Sequence, residues 1–226
     1  VPGMRMLAVF CKGERLRHIG HLDLMRAMQR ALRRSELPVS YSKGFNPHIL
    51  LTFASALSTG AWGKREIMDV TLERDISPET FMEAMNAALP EDLRVLSARA
   101  IDDRHPALMA MVTAAEYTLT VMDENVAASL AACKDGFLSQ EAIITPRKTK
   151  SGVKDCDVKP LILALSITGN QIRAKLCLTE STSCKPDMLL NAWCAYAGCP
   201  VPRVLICRES LWGQDGAGRL QPLETL

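Results

Sequence analysis

The order of the predicted secondary-structure elements limits what this chain can fold into. In its first hundred residues, four short apolar runs of strand length alternate with two stretches of helical spacing, and the runs lie at residues 6–12, 49–55, 68–73 and 93–100. The order is strand, helix, strand, strand, helix, strand. This order predicts an α+β fold of the ferredoxin-like type, in which two helices cover one side of an antiparallel four-stranded sheet.

Both helices of this half have clear sequence signals. Leu24 and Met28 belong to an apolar stripe within residues 21–35, and arginines occupy the other side of the same helix. We therefore expect one buried face and one cationic face. Ser77 followed by Pro78 predicts the start of the second helix, because a serine hydroxyl caps free amides and proline suits the first helical position.

The rest of the chain repeats this order of elements. The elements are a strand around Leu119, a helix at residues 126–133, a hairpin turning at Gly169-Asn170, a helix from Pro186 and a strand at residues 204–207. We therefore predict two tandem ferredoxin-like modules, at residues 4–103 and 114–226. The glycine-rich segment 212–218 is predicted to be a flexible tail.

An insertion interrupts the second module at residues 143–160. We call it the basic finger, and we predict a hairpin that turns at Ser151-Gly152. Its cations are Arg147, Lys148, Lys150 and Lys154. A cluster of positive charge suits the phosphates of nucleic acid. The alternative is a solvated surface hairpin whose charge is balanced by Asp155 and Asp157, and the sequence favours neither.

Composition and charge exclude several classes of protein. Hydrophobic residues make up 48% of the chain and charged residues 23%, which is typical of a globular domain. The formal net charge is only +2, so nucleic-acid binding has to come from local clusters. No apolar run approaches the roughly 18 residues of a membrane span, and Val1-Pro2-Gly3 before Met4 does not resemble a signal peptide. We expect a cytoplasmic protein without membrane contact.

The eight cysteines do not have the spacing of a metal or iron–sulfur site. Neither C-x-x-C nor C-x-x-x-C-x-x-C occurs, so nothing resembles a zinc knuckle or the cluster-binding loop of a radical SAM enzyme. We expect reduced thiols that pack as small hydrophobic side chains, and no cofactor bound by this chain.

Polar, aromatic and glycine residues concentrate at residues 18–48. After the first helix, residues 40–48 place two aromatic rings, an amide, an imidazole and an ammonium around Gly44, where a positive φ is accessible. A shaped loop of this kind suits recognition, because binding groups are often carried by loops on rigid elements. The alternative is a turn leading into a strand, with Tyr41 and Phe45 as edge packing.

Several motifs resemble one protein family. They are Arg17, HLDLMR at residues 21–26, residues 30–34, Leu37-Pro38, Tyr41-Ser42, GFNPH at residues 44–48, Phe53-Ala54, Gly60 and residues 66–69. Together they are similar to the bacterial radical-SAM-linked proteins, a domain of unknown function also found fused to the C-terminus of cobalamin-binding radical SAM proteins. Gly20 and residues 49–51 depart from the family pattern, which usually has a serine and then a proline-lysine pair there.

The resemblance implies a radical SAM protein as partner, and SAM and an iron–sulfur cluster are then expected on that partner alone. It supplies no catalytic residue, and we expect no catalytic activity of the chain's own. The main hypothesis is an accessory module that binds RNA, or an RNA–protein substrate. Its ligand-binding residues are Arg17, His18, His21, Arg26, Arg30, Tyr41, Ser42, Lys43, Gly44, Phe45, Asn46 and His48.

Within this set the cationic, aromatic and amide or imidazole side chains have different predicted tasks. Arginines and Lys43 hold phosphates, Tyr41 and Phe45 stack on bases, and Asn46 and His48 read polar edges. We expect the start of the first helix and the turn at Gly44 to form a single positively charged hollow.

Two alternatives come from other functional classes. One is an enzyme that cleaves or modifies RNA with His21, His48 and Tyr41, since imidazole exchanges protons near neutral pH. The other is a protein-docking domain for a radical SAM enzyme, with the same aromatic and arginine side chains as its hot spot. His18 and His21 have the spacing of a metal pair, but no third ligand is evident and no metal is expected. Without a ligand, His21 is expected to hydrogen-bond to backbone at the helix start.

Overall fold

The computed structural model describes residues 3–149 and 152–226, so Val1-Pro2 and the finger residues Lys150 and Ser151 lie outside the described residues. The α-helices are α1 (His21–Arg34), α2 (Pro78–Ala88), α3 (Leu108–Met111), α4 (Glu124–Ser139) and α5 (Pro186–Ala197). The strands are β1 (Met4–Lys12), β2 (Leu51–Phe53), β3 (Ala61–Leu72), β4 (Leu93–Ile101), β5 (Ala114–Val121), β6 (Ile144–Thr149), β7 (Gly152–Asp157), β8 (Ile162–Thr168), β9 (Gln171–Cys177), β10 (Val204–Gln214) and β11 (Leu220–Pro222). The architecture is mixed α+β, with mostly antiparallel strand pairs.

The chain divides into two compact units. The first contains the described residues up to Val112 together with Ser210–Leu226, and the second is Thr113–Glu209. The second module predicted from the sequence extended to residue 226, whereas residues 210–226 belong to the first unit.

The first unit is built from β1-α1-β2-β3-α2-β4, with the strands in the order β4-β1-β3-β2 and neighbours antiparallel. Met68 of β3 pairs with Ala8 on one side and with Phe53 on the other. Met68 and Val70 are fully buried in the core that the sheet shares with α1 and α2. Because side chains alternate along a strand, Asp69 and Thr71 lie on the face away from the helices.

The helix starts follow the sequence signals. Ser77 Oγ accepts a hydrogen bond from the amide of Thr80 at 3.1 Å, which confirms the predicted cap of α2. Gly20 occupies the equivalent position before α1 and makes no side-chain cap. The buried residues of α1 are Leu24, Met28, Ala31 and Leu32, as its apolar stripe predicts.

The glycine-rich end of the chain is a hairpin and not the flexible tail that we predicted. β10 continues to Gln214 and pairs with β11, with Trp212 opposite Pro222. Asp215 Oδ1 accepts hydrogen bonds from the amides of Ala217 and Arg219, each at 2.9 Å, and so closes the turn. These bonds, led by that from the Arg219 backbone, lower the pKa of Asp215 below its ordinary value. The sequence pattern missed this turn because the aspartate, and not the glycines alone, specifies it.

The second unit has the order β5-α4-β6-β7-β8-β9-α5-β10, and its strands are arranged β10-β5-β9-β8. β6 and β7 form a separate antiparallel pair between α4 and β8, where the basic finger was predicted. Phe137 of α4 stacks on Trp193 of α5 with ring centroids 5.6 Å apart. This contact explains why α4 runs past the predicted end at residue 133, since its last turn has an aromatic partner.

Even the longest described helix, the 16-residue α4, lacks the length and apolar character that a bilayer-spanning segment requires.

Candidate functional site

The GFNPH motif lies in a short hairpin, residues 41–49, that is attached to the edge of the first unit's sheet. Within it, the amide of Ser42 donates to the carbonyl of His48 at 2.8 Å, and Tyr41 bridges to Ile49. Its two ends are both fastened to one residue of β3. The amide of Ser40 donates to Thr71 O at 2.9 Å, and the amide of Thr71 donates to Leu50 O at 3.0 Å. The backbone of hairpin 41–49 is therefore held at its base by the sheet.

A side-chain bond also crosses the hairpin. Ser42 Oγ accepts from the backbone amide of His48 at 3.1 Å and lies 2.8 Å from His48 Nδ1. At the tip, Gly44 has a φ of 131°, a conformation that side-chain-bearing residues rarely adopt. These contacts give the tip a defined shape.

The aromatic side chains of the hairpin face solvent. Phe45 has a relative exposure of 106%, so its ring is completely accessible, and Tyr41 is 45% exposed. Lys43, Asn46 and His48 are exposed beside them. The alternative for this loop was that Tyr41 and Phe45 pack against the edge of the sheet. The Phe45 ring does not pack in this way, because it is completely exposed.

The cationic residues before and on α1 differ in whether their side chains already have partners within the protein. Arg26 pairs with Asp23 at 3.2 Å, and both side chains are about two-thirds exposed. Arg17 donates to the carbonyl of Glu14 at 3.3 Å, while His18 and Arg30 are exposed to solvent.

His21, the first residue of α1, packs against an aromatic ring and makes no backbone bond through Nδ1. Its imidazole lies edge-on to Phe53 with centroids 5.5 Å apart, and Nδ1 is buried without a hydrogen-bond partner among the described residues. The expected hydrogen bond to backbone is thus absent at this nitrogen.

The start of α1 and hairpin 41–49 lie near different points of β3. His21 contacts Phe53, which pairs with Met68, whereas the hairpin base is fastened to Thr71. Three residues along a strand correspond to about 10 Å. Across residues 3–149 and 152–226, no hydrogen bond or ring contact joins His21 to the hairpin. The single hollow stays a prediction.

A cavity of about 220 Å³ lies at the base of hairpin 41–49, and we call it the foot cavity. Its lining residues are His48, Ile49, Leu50, Leu51, Thr52, Asp69 and Thr71. Asp69 was not among the predicted site residues. The one sequence signal for Asp69 is a carboxylate among the apolar residues of β3. Only the register of the sheet, in which Asp69 lies opposite Thr52, shows that this carboxylate is near the hairpin.

A larger cavity, of about 620 Å³, lies between the basic finger and the start of α5 in the second unit. Its lining residues are Pro146, Arg147, Lys148, Val153, Ser183, Lys185, Asp187, Met188 and Asn191. The sequence predicted Arg147 and Lys148 but missed Lys185 and Asn191, which are distant in the chain. Lys154 does not line this cavity but pairs with Arg147 across the two strands.

The cysteines are free thiols, as the sequence suggested. Burial raises the pKa of Cys184 and of Cys194 to about 12, so both stay protonated at neutral pH. Across residues 3–149 and 152–226, no three His, Cys, Asp or Glu side chains cluster as metal ligands would.

Comparison with protein-family models gives a match over most of the chain. A family model described as uncharacterized protein conserved in bacteria (DUF2344) matches residues 5–186. The matched part includes α1, hairpin 41–49 and the basic finger. A search of the curated proteins finds no match.

Proposed function

This chain belongs to the bacterial DUF2344 family, and we propose that it is a non-catalytic module that binds RNA, or an RNA–protein substrate, and presents it to a radical SAM partner. Hairpin 41–49 is the main contact in this proposal. The basic finger is a second contact.

The observation that carries the proposal is the complete exposure of Phe45 on a hairpin whose backbone is held at its base. A large exposed aromatic side chain loses contact with water only when a ligand covers it, and each base stacked on such a ring contributes about 1–3 kcal/mol. Because Ser42, His48 and Thr71 already order the backbone, little conformational entropy remains to be lost on binding. Tyr41, Lys43 and Asn46 provide a second ring and polar groups beside it.

The topology of each unit supports the assignment of two ferredoxin-like modules. The strand orders β4-β1-β3-β2 and β10-β5-β9-β8 have the same pattern of connections, with one helix after the first strand and one before the last. A fold of this type serves many functions, so the functional proposal depends on the surfaces described above.

The basic finger supports a phosphate contact. Arg147 and Lys154 occupy directly opposite positions on β6 and β7, and like charges in that arrangement repel each other. Lys148 and Lys185 line the cavity beside them. A bound phosphate would relieve the repulsion and neutralise the cluster, which gives this surface a preference for anions.

Removing two finger cations should reduce the salt dependence of RNA binding. We expect the Arg147→Ala, Lys148→Ala double variant to lower the slope of log Kd against log salt by about 1.4, because each phosphate contact on single-stranded RNA contributes about 0.7. Fluorescence anisotropy with a labelled single-stranded RNA at several salt concentrations measures this slope. The matched control is Arg173→Ala, Arg203→Ala, which removes two exposed cations of the same unit outside the cavity. Equal slopes for both double variants would remove the finger from the RNA-binding surface.

The radical SAM partner is proposed from the family resemblance of the HLDLMR and GFNPH motifs. SAM and the iron–sulfur cluster are assigned to that partner. Crosslinking in the native cell, followed by purification of this chain, should recover both RNA and a radical SAM protein. Recovery of the radical SAM protein without RNA, and its loss on Phe45→Ala, would instead indicate a protein-docking domain.

A further inference from the structure

Asp69, one of the residues that line the foot cavity, has a buried carboxylate oxygen without a hydrogen-bond partner among the described residues. We propose that this cavity receives a nucleobase edge carrying uncharged N–H donors, with a preference for guanine, and that Asp69 Oδ1 is the acceptor. The inference rests on the proposed function, because it names the base that hairpin 41–49 would help to select.

The geometry of Asp69 is the first argument. The residue is only 8% exposed and lines the foot cavity. Its Oδ2 accepts from Arg5 Nε at 3.1 Å and from an Arg5 terminal nitrogen at 2.5 Å, whereas Oδ1 is buried without a partner among the described residues. A buried carboxylate oxygen without a donor is unfavourable, and a ligand that supplies a donor there gains the interaction.

Arg5 is not available to bond Oδ1 as well. Besides Oδ2 of Asp69, its guanidinium donates to the carbonyl of His105 at 2.5 Å, so it is held on one side of the carboxylate. The Arg5–Asp69 pair is also neutral overall. A neutral pair that retains one free acceptor suits an uncharged N–H donor, because an additional cation would have to be buried beside Arg5.

The position of the cavity links this acceptor to the proposed RNA site. His48 and Leu50 line the cavity, and the same residues close hairpin 41–49. Ser42 Oγ lies 2.8 Å from His48 Nδ1, so this nitrogen already has a partner within the hairpin. In the proposal, the other ring nitrogen of His48, Nε2, is the second polar group offered to the base. The proposal places in this cavity the base next to one stacked on Phe45, because the cavity and the hairpin share His48.

Guanine is the base that best matches these groups. Its Watson–Crick edge places the ring N1–H and the exocyclic amine side by side, so two donors can approach one carboxylate oxygen, and its carbonyl oxygen can accept from an imidazole N–H. Adenine and cytosine each offer one exocyclic amine, and uracil offers one ring N–H. We therefore expect the cavity to bind guanine more tightly than the other three bases.

The test uses five-nucleotide RNAs that differ only in a central base, UUGUU against UUAUU, UUCUU and UUUUU, with binding measured by fluorescence anisotropy at one salt concentration. We expect the unmodified protein to bind UUGUU about tenfold more tightly than UUAUU. Asp69→Asn should reduce that ratio to near one with little change in affinity for UUAUU. The asparagine amide places either an N–H donor or an uncharged, weaker acceptor at the position of Oδ1. Asp75→Asn, which changes an exposed carboxylate in the same way, should leave the ratio intact.

A second variant keeps the test independent of the Arg5–Asp69 pair. Thr52 is exposed, lines the cavity and lies opposite Asp69 in the register of β2 and β3, so Thr52→Phe should fill the cavity without removing the ion pair. It should abolish the guanine preference too. Absence of any base preference in the unmodified protein, or a preference that survives both variants, would overturn the inference.

These outcomes can be separated from failure of the proposed function. If Phe45→Ala weakens binding of all four RNAs while Asp69→Asn changes none, hairpin 41–49 binds RNA and the foot cavity takes only solvent. If none of the four RNAs binds, both the proposed function and the inference fail.

Discussion

The Phe45→Ala variant should bind single-stranded RNA about tenfold more weakly than the unmodified protein. The expected loss corresponds to one stacked base, about 1–3 kcal/mol. The free energy of unfolding should change by less than about 0.5 kcal/mol, because the ring is fully exposed and contributes no packing. Fluorescence anisotropy gives the affinity, and urea denaturation gives the stability. A large loss of affinity without a change in the free energy of unfolding would show that Phe45 acts in binding and not in stabilising the fold.

Two further variants make this experiment specific. Phe45→Trp should retain or improve binding, because indole also provides a stacking face. Met122→Ala removes an apolar side chain of the second unit that is 55% exposed, and RNA binding should not change. If Phe45→Ala binds RNA as well as the unmodified protein, Phe45 is not a base-stacking platform. The protein-docking alternative would then account better for its exposure.

Elements with a local signal could be predicted from the sequence. The apolar stripe of α1, the Ser77-Pro78 start of α2 and the turn at Gly169-Asn170 each depend on residues close in the chain, and all three are present. β3 is longer than predicted, because the charged residues Lys64, Arg65 and Glu66 hide its strand pattern. Glu66 is nevertheless buried, with 3% of its surface exposed. Burial of a charged side chain depends on tertiary partners, which local periodicity does not contain.

The candidate site shows the same division. The composition of residues 40–48 predicted a shaped, polar and aromatic loop, and the loop is a closed hairpin with Gly44 at a positive φ. The foot cavity was beyond prediction because Asp69 meets the hairpin through the pairing of β2 with β3. Lys185 likewise joins the basic finger only after α5 packs beside it. Long-range pairing therefore decides which polar residues share a surface.

Lys12 illustrates a long-range role that the sequence concealed. Next to Gly13 and Glu14 it resembles the end of a strand exposed to solvent, yet only 1% of its surface is accessible. Its ammonium group donates to the carbonyl of Ile19 at 2.7 Å and to the carbonyl of Ala61 at 3.1 Å. It thus connects the end of β1 both to the segment before α1 and to the first residue of β3.

We therefore expect Lys12→Met to lower the free energy of unfolding by about 2–3 kcal/mol, because methionine fills much of the space of the side chain but leaves two buried carbonyls without their charged donor. Urea denaturation measures the loss, and hydrogen exchange should become faster at residues 13–20, which lose their attachment to β1. The matched control is Lys43→Met, an exposed lysine of hairpin 41–49 whose replacement should leave the stability unchanged. An unaltered unfolding free energy in Lys12→Met would mean that the carbonyls of Ile19 and Ala61 find other donors. If hydrogen exchange becomes faster and RNA binding does not change, Lys12 has only a structural role. If the variant is still fully folded under the assay conditions but binds RNA more weakly, the start of α1 must be held in place for the ligand to bind.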